Sequence, residues 1–247
     1  MISIKSEREI ELMREAGKKN IMTFKEIEKY LKPGITTKKL DTIVHDFVVK
    51  NGCVPSTLGY EGYPASVCIS VNDEVVHGIP GNRVIKDGDI VSVDLVISYK
   101  GYHADATRTY IIGDVPDDVR DLVENTKGAF YAGVACVKEG ARIRDISRAI
   151  EKYAHDHGLS VVEELVGHGI GASMHEEPDV PNFDDNNMTK LKAGMTIAIE
   201  PMLNLGSKKV YLEDDDWTVR TIDGKPSAHY ENTVLVTKDG YEILTGE

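Results

Sequence analysis

The chain has 247 residues, a formal net charge of −12 at pH 7 and three cysteines. This length fits one large domain or two fused halves, and the acidic charge argues against nonspecific binding to nucleic acid or to an anionic membrane. Because the cysteines have no paired spacing, a reduced, cytoplasmic setting is the simplest interpretation. The first ten residues lack the apolar stretch of a secretory signal, and no apolar run approaches the ~18 residues that a membrane span needs.

Two helices are predicted at the start of the chain. Ser6 begins a capping-box pattern, and the apolar spacing that follows predicts a helix to about Leu31, just before a Pro-Gly stop. Thr36 or Thr37 caps a second helix, which ends at Gly52.

A short strand is predicted over residues 66–71. The segments on either side of it, 55–64 and 72–82, are rich in turn-forming residues and are predicted to be loops. His77 therefore belongs to a predicted loop.

Residues 89–113 predict a β-hairpin with a tight turn at residues 100–101. Alternate side chains along its first strand are apolar, which is typical of a strand with one buried face. If the turn has two residues, Asp94 pairs with Thr107, and Asp105 lies on the same face as Asp94. Such diagonal neighbours lie about 7–8 Å apart, so both carboxylates can approach one cation, without which their charges repel each other.

The second part of the chain repeats the order of the first. Its predicted elements are helices over 117–137 and 143–157, a strand over 161–167, a long polar loop over 167–187, a strand over 195–203 and an antiparallel meander from 210 onward. His168 and His175 fall in the loop, whereas Glu200 and Glu231 fall on polar faces of strands. Two helices followed by two acidic strands thus occur twice, which suggests two similar α/β halves that face each other across a polar site.

Five residues form a candidate metal site: Asp94, Asp105, His168, Glu200 and Glu231. Acidic residues are depleted in strands, and burying four carboxylates without compensation would cost much free energy. Two divalent cations would neutralise the four charges, and this set of oxygen and nitrogen donors suits Mn²⁺, Fe²⁺, Co²⁺ or Zn²⁺. For any single acid the alternative is a solvated position on a wet strand face.

With these residues in place, the chain resembles the type I methionine aminopeptidases over nearly its whole length. The motifs that carry the resemblance are NDEVVHGIP, VDLVISYKGYHADATRT, GHGIG, SMHEEP, IAIEPML and HYENTVLVT. The resemblance implies the α/β (α+β) pita-bread fold, in which two pseudo-symmetric halves form a curved, mostly antiparallel sheet flanked by helices. It further implies one catalytic domain over residues 1–247 without an N-terminal extension.

The resemblance also implies an activity, the removal of the initiator Met from nascent proteins whose next residue is small. Asp94 is expected to bind one metal ion, Asp105 and Glu231 to bridge two ions, and His168 and Glu200 to complete the second. A water activated by the two ions attacks the Met carbonyl carbon, and Glu200 carries its proton to the leaving amine.

Two histidines are expected to contact the substrate rather than the metals. By the same resemblance, His175 donates a hydrogen bond to the scissile carbonyl oxygen, and His77 contacts the amide nitrogen. His103 shares the strand parity of Asp105. We predict that it is solvated or that it contacts a metal ligand without binding metal itself. The remaining histidines are assigned structural or solvent-exposed roles: His45, His155, His157 and His229.

The resemblance maps the pocket for the Met side chain onto Tyr60, Tyr63, Cys68, His77, Met174 and Trp217. Thr57 and Met174 depart from residues that are common in bacterial members, so the shape of the pocket stays open. For Met174 and Cys68, packing in the core is an equally good interpretation, since Met and Cys often fill gaps in cores.

Two other functions are consistent with such a site. One is an Xaa-Pro aminopeptidase or prolidase-like peptidase, although those enzymes usually carry a large additional N-terminal domain. The other is a non-enzymatic binding module on the same fold, which would be expected to lack ligands, and none is missing here. The expected partners are N-termini of nascent polypeptides, with the ribosome as a candidate. We expect a monomer that binds neither nucleic acid nor membrane.

Overall fold

The computed structural model describes residues 2–246 of the chain. Its helices are α1 (Glu7–Ile27), α2 (Thr37–Lys50), α3 (Asp117–Val134) and α4 (Ile143–Asp156), with a 3₁₀ turn at Tyr60–Gly62. Its strands are β1 (Val54–Pro55), β2 (Cys68–Val71), β3 (Glu74–Val76), β4 (Ile90–Tyr99), β5 (Tyr102–Ile111), β6 (Ser160–Val161), β7 (Gly167–Gly169), β8 (Glu176–Val180), β9 (Thr196–Ile199), β10 (Met202–Asn204), β11 (Val210–Leu212), β12 (Val219–Thr221), β13 (Ser227–His229), β14 (Glu231–Val236) and β15 (Tyr241–Ile243).

One curved sheet organises the molecule. It contains nine strands, with β1, β4, β5, β14, β9, β7 and β8 in hydrogen-bonded order, while β2 pairs with β4 and β15 with β14. Its pairings are antiparallel. Two three-stranded sheets, β13-β10-β6 and β11-β12-β3, lie beside it. The predicted fold class, an α/β protein with a curved antiparallel sheet flanked by helices, is confirmed.

The helices cover the sheet in pairs. Apolar residues of α1 and α2 pack with the apolar face of β4, around Phe24, Leu40 and Val93. Apolar residues of α3 and α4 pack with β9 and β14, around Phe130 and Ile146. Because alternate residues of a strand point to opposite faces, Asp94 on β4 points away from this helical layer. The polar faces of the strands are therefore left free to line a site.

The hairpin of β4 and β5 forms in the predicted register. Tyr99 pairs with Tyr102, and Asp94 pairs with Thr107. Lys100 and Gly101 both have positive φ angles, 50° and 85°, as a two-residue type I′ turn requires. The turn thereby fixes which residues of β5 share a face with Asp94.

Helices α1 and α3 end earlier than the apolar spacing predicts. Helix α1 ends at Ile27 rather than near Leu31. Beyond it, Tyr30 N–H donates to the Ile27 carbonyl oxygen at 2.9 Å, so the chain tightens into a three-residue turn, a common helix ending. Likewise α3 ends at Val134 and is followed by such turns up to Val137.

The predictions of loops at 72–82 and 167–187 are wrong in part, because these segments contain β3, β7 and β8. The predicted strand over 161–167 is in fact split between β6 and β7. These strands have two to five residues each, and β7 and β8 are rich in Gly or in charged residues. They are therefore too short and too polar to show the period-2 pattern of a strand. They form because sequence-distant strands pair with them: β12 with β3, and β9 with β7.

The strand predicted over 195–203 is interrupted at Glu200-Pro201. Its first part is β9 of the large sheet, and its second part is β10 of a three-stranded sheet. Pro201 has no N–H to donate, so a ladder cannot continue through it. The interruption leaves Glu200 at the end of β9, one residue beyond the strand.

In each half of the described chain, two helices precede the strands. The assignment of residues 1–247 to one catalytic domain of two pseudo-symmetric halves stays a prediction. Among residues 2–246, no helix combines the length and the apolar character that crossing a membrane would require.

Candidate metal centre and active site

A cavity of about 640 Å³ opens on the polar face of the sheet. Its lining includes all the residues named from the sequence for the metal site, the catalytic histidines and the Met pocket: Tyr60, Tyr63, Cys68, His77, Asp94, Asp105, His168, Met174, His175, Glu200, Trp217 and Glu231. Thr57 lines it as well. Residues from both halves of the sequence therefore meet in one cavity.

Hydrogen bonds between β5 and β14 hold Asp105 and Glu231 in place. The backbone N–H of Asp105 donates to Thr233 Oγ1 at 2.9 Å, and the Thr233 hydroxyl donates to the Asp105 carbonyl oxygen at 2.9 Å. The Thr107 hydroxyl donates to Glu231 Oε2 at 2.9 Å. These bonds fix the backbone of Asp105 and the carboxylate of Glu231.

The other half contributes His168 and Glu200. His168 Nδ1 lies 2.9 Å from the Gly169 carbonyl oxygen, so we assign the proton to Nδ1, which leaves Nε2 as the lone-pair nitrogen. That Nε2 lies 3.5 Å from Glu200 Oε1 and 3.9 Å from Asp105 Oδ2. His168 was predicted in a loop, but its position in β7 makes it part of the sheet.

Asp105, His168 and Glu231 each offer an atom to a common point, and these atoms all lie within 4.8 Å of one another. Burial raises the pKa of the Asp105 carboxyl well above its usual value, and the neighbouring carboxylates of Glu231, Asp94 and Glu200 raise it further. The pKa of Glu231 is raised for the same reasons, burial first. The cluster thus favours protonation or a cation over bare negative charge.

The chemistry of these donors fits a divalent metal. Asp94 Oδ1, Asp105 Oδ1 and Glu231 Oε1 are buried and have no hydrogen-bond partner among the described residues. Leaving a buried acceptor unpaired costs about 1–3 kcal/mol, and more when the group is charged. Carboxylate oxygens together with an imidazole nitrogen are ligands of divalent transition metals. The residues present can therefore hold such an ion.

His175 and His77 lie at the rim of the cavity. His175 Nδ1 lies 2.7 Å from the Tyr60 hydroxyl, and its ring packs edge-on to His168 at a centroid distance of 4.3 Å. His77 has a φ of 58°, a left-handed conformation that is uncommon outside Gly, Asn and Asp. Burial lowers the pKa of His77 to about 4, and it also lowers the pKa of His175. Burial therefore favours the neutral form of both rings.

Aromatic and apolar side chains form one wall of the cavity. Tyr63 and Trp217 pack edge to face with ring centroids 5.1 Å apart, and Cys68 packs in the same cluster. Cys68 lies opposite Asp94 in the β2–β4 ladder, so this apolar wall adjoins the carboxylates. Met174 is 6% exposed and lines the cavity. Cys68 and Met174 thus pack as core residues and also reach the cavity surface.

His229 takes the structural one of the two roles that the sequence left open for it. It is buried, and its Nε2 lies 3.6 Å from Glu200 Oε2, so a solvated position is wrong. The sequence carries no local signal for this contact, because His229 ends β13 and Glu231 begins β14, and these strands belong to different sheets. His103 is partly buried and lies with Nδ1 3.1 Å from the Gly171 carbonyl oxygen; it is not among the residues that line the cavity.

Known proteins share both the sequence and the fold. The model of metallopeptidase family M24 matches residues 11–238. The chain is 48% identical to methionine aminopeptidase 1 of Bacillus subtilis, over 99% of each chain. It is 44% identical to the methionine aminopeptidase of Escherichia coli strain K12, over 99% of this chain and 94% of that one.

Solved structures agree with this result. The methionine aminopeptidase from Rickettsia prowazekii superposes with a TM-score of 0.98 at 40% identity, with 100% of both chains covered. The prolidase from Pyrococcus furiosus reaches a TM-score of 0.79 at 23% identity, and this chain covers 65% of it, so that likeness concerns the fold alone. The chain therefore belongs to metallopeptidase family M24 and, within it, to the methionine aminopeptidases.

Proposed function

We propose that the protein removes the N-terminal Met from nascent polypeptides by hydrolysis when the next residue is small. The observation that carries this proposal is the meeting of five candidate metal ligands, two rim histidines and an apolar wall in one cavity of about 640 Å³. A cavity of this volume suits a small ligand or a chain end rather than the middle of a folded polypeptide.

Two divalent metal ions complete the site in this proposal, with Mn, Fe, Co or Zn as candidates. Asp94 would hold one ion, Asp105 and Glu231 both, and His168 and Glu200 the second. The unpaired buried oxygens of three of these acids support the assignment. When bound, such ions polarise a carbonyl oxygen and lower the pKa of water, which supplies a nucleophile at neutral pH.

Glu200 is proposed as the proton carrier. Burial raises the pKa of its carboxyl well above the usual value, and the nearby Asp94 charge raises it further. A carboxylate with a raised pKa accepts the proton of the attacking water more readily, and it can then deliver that proton to the leaving amine. Asn182 donates to the Glu200 carbonyl oxygen at 3.1 Å, which supports the backbone of this residue.

His175 is proposed to stabilise the negative charge that develops on the scissile carbonyl oxygen. If the Tyr60 hydroxyl donates to His175 Nδ1, the proton of the neutral ring lies on Nε2, which becomes a fixed donor. Such a donor contributes most when it is oriented before the reaction begins. His77, on the other side of the rim, is proposed to contact the amide nitrogen.

The Met side chain is proposed to lie against Tyr63, Cys68 and Trp217. The Thr57 hydroxyl also faces this region; it is buried and has no hydrogen-bond partner among residues 2–246. This polar hydroxyl changes the shape and the polarity of the pocket. Met174, the other departure from residues common in bacterial members, changes its shape as well.

Selection for a small second residue is proposed to come from the segment 77–80. A Cβ atom at Gly78 would lie 2.4 Å from the Ile69 carbonyl oxygen, so this segment is packed tightly against β2. Because the contact with β2 restrains this segment, the segment limits the space beside the scissile bond. The same proposal places the enzyme in the cytoplasm as a monomer that acts on nascent chains, with the ribosome as a candidate partner.

A peptide panel on metal-reconstituted protein tests the function. Met-Ala and Met-Gly peptides should be cleaved efficiently, Met-Leu poorly and Xaa-Pro peptides not at all. Faster cleavage of Xaa-Pro peptides would favour the prolidase-like alternative. Turnover of none of them, at full metal content, would favour a binding module.

A further inference from the structure

A buried ion pair connects the start of the chain to the loop that carries His175. Lys5 precedes α1, and its Nζ lies 2.6 Å from Glu176 Oε2, with the two side chains 3% and 16% exposed. Glu176 follows His175 directly in sequence. Burying an ammonium group costs several kcal/mol unless it is paired, so an unpaired Lys5 would not stay in this position.

The carboxylate of Glu176 also holds the loop from within. Ser173 N–H donates to Glu176 Oε1 at 3.2 Å, and Gly171 N–H donates to the Ser173 carbonyl oxygen at 3.0 Å. Lys5 and Ser173 thus bind the two oxygens of one carboxylate. The loop over residues 171–175, which we call the His175 loop, is closed by these bonds.

Lys5 is itself fixed in place. Its backbone N–H donates to the Gly194 carbonyl oxygen at 2.8 Å. Its aliphatic stem lies against Gly171, where an added Cβ would be 2.5 Å from Lys5 Cε. Lys5 therefore joins the segment before β9, through its backbone, to the His175 loop, through its side chain.

We propose that Lys5 is a positioning residue for the reaction, acting through Glu176 on His175. This proposal rests on the proposed function, in which His175 donates to the scissile carbonyl oxygen. Tyr60 fixes the ring of His175 from one side of the rim, and the Lys5–Glu176 pair fixes its backbone from the other. Loss of the ion pair makes the His175 loop more mobile, so the His175 ring is no longer held in its productive orientation before substrate binds.

The first variant is Lys5→Met, which keeps an aliphatic stem and removes the charge. A displacement of about 1 Å in a positioned catalytic group lowers rates by about 10²-fold, so kcat on a Met-Ala peptide should fall by about 10–100-fold. KM should change by less than about threefold, because the interaction strengthens mainly in the transition state. Metal content should stay at the wild-type value, since Lys5 contacts none of the proposed ligands.

A double-mutant cycle with His175→Ala tests whether Lys5 acts through that ring. Residues that act together show non-additive effects, whereas distant and independent residues show additive ones. In the His175→Ala background, Lys5→Met should therefore lower kcat by less than about threefold. An equal loss in both backgrounds would overturn the proposal. Should Lys5→Met fail to fold, Glu176→Gln weakens the same pair and enters the same cycle.

Arg14→Met is the matched control. Arg14 lies on α1 and donates two hydrogen bonds to Glu242 at 2.7 Å each, away from the His175 loop. Its loss should lower Tm while kcat stays within about twofold of the wild-type value. If Arg14→Met lowers kcat as much as Lys5→Met does, the effect of Lys5 is one of general stability and the proposal is wrong.

Hydrogen exchange separates this proposal from the proposed function, because it needs no turnover. Amides of the His175 loop should exchange faster in Lys5→Met than in the wild-type protein or in Arg14→Met. Suppose that wild-type protein cleaves no Met-Ala peptide, but the loop amides exchange faster in Lys5→Met. The proposed function is then wrong, whereas the proposal that Lys5 positions the His175 loop is supported. Unchanged exchange in the loop contradicts the positioning role, whatever the activity.

Discussion

The floor and the rim of the cavity are built in different ways. The floor consists of four acids and one histidine, Asp94, Asp105, His168, Glu200 and Glu231, and the histidine rim consists of His77 and His175. Floor residues lie in or directly beside strands of the large sheet, where ladder hydrogen bonds fix them. Rim residues lie in segments that join strands, held by side-chain contacts such as that of His175 with Tyr60.

Burial has opposite effects on the two regions. It raises the pKa of the carboxyls in the floor and lowers the pKa of the imidazoles in the rim, because in both cases it disfavours the charged form. A floor of acids that repel one another calls for a cation, whereas a rim of neutral rings does not. The difference therefore supports the proposed assignment, in which the floor holds metal and the rim contacts substrate.

Metal removal should have the largest effect. Chelation should abolish turnover of Met-Ala peptides, and addition of Mn²⁺, Fe²⁺, Co²⁺ or Zn²⁺ should restore it. The four carboxylates repel one another without a cation between them, which favours metal binding, and hydrolysis needs the nucleophile that bound ions would supply. Turnover assays with metal analysis test this expectation, and full activity in thoroughly demetallated protein would contradict it.

Asp105→Asn should separate stability from activity in the floor. The variant should lose activity with the loss of a bridging ligand, yet the metal-free form should be more stable than metal-free wild type. Relief of about 1 kcal/mol of repulsion raises Tm by about 2–4 °C in a domain of this size. Calorimetry on both metal-free proteins measures the shift, and Asp46→Asn, at an exposed acid on α2, should produce none. A lower Tm for Asp105→Asn would argue against strain in the floor.

Thr107→Val should have a smaller effect on the floor. The substitution keeps the shape of the side chain and removes the hydrogen bond to Glu231 Oε2. Loss of a group that orients a metal ligand weakens metal binding by about 10–100-fold. Metal titration detects the change. Thr126→Val, which removes a buried hydroxyl that donates within α3, should leave metal affinity unaltered.

His77 should make a small, pH-dependent contribution to stability. Its pKa is about 4 in the folded protein and about 6.5 in an unfolded chain. The unfolded state therefore binds more protons between these values, and stability falls as pH decreases from about 6.5 to about 4. In His77→Asn, which tolerates the left-handed backbone, Tm should decrease less over this range. Melting curves of metal-free proteins measure it, and parallel pH profiles would count against a buried neutral His77.

The residues of the floor also differ in how far the sequence predicts their positions. The positions of Asp94 and Asp105 follow from a period-2 pattern and a two-residue turn, which are local signals, and the register is confirmed. His168 was assigned to a loop, since its short Gly-rich strand becomes a strand only through pairing with β9. The positions of site residues could therefore be predicted where a local pattern in the sequence determines the backbone geometry.

Contacts between distant segments could not be predicted. The position of His229 beside Glu200 depends on where two separate sheets meet, and the Lys5–Glu176 pair joins residues 171 apart in sequence. Side-chain contacts of this kind leave no periodicity in the sequence. Such contacts depend on the packing of the whole chain, so the neighbours of Glu200 and Glu176 could be identified only from the structure.

Calorimetric metal titration of His168→Ala and His175→Ala, with turnover measured on the same samples, tests most directly the claim that the floor holds metal and the rim contacts substrate. The account predicts weakened metal binding in His168→Ala. It predicts wild-type metal binding in His175→Ala together with a kcat lower by about 10²–10³-fold, the usual loss of one oriented donor. If His175→Ala loses metal while His168→Ala binds it as the wild-type protein does, the division between floor and rim is contradicted.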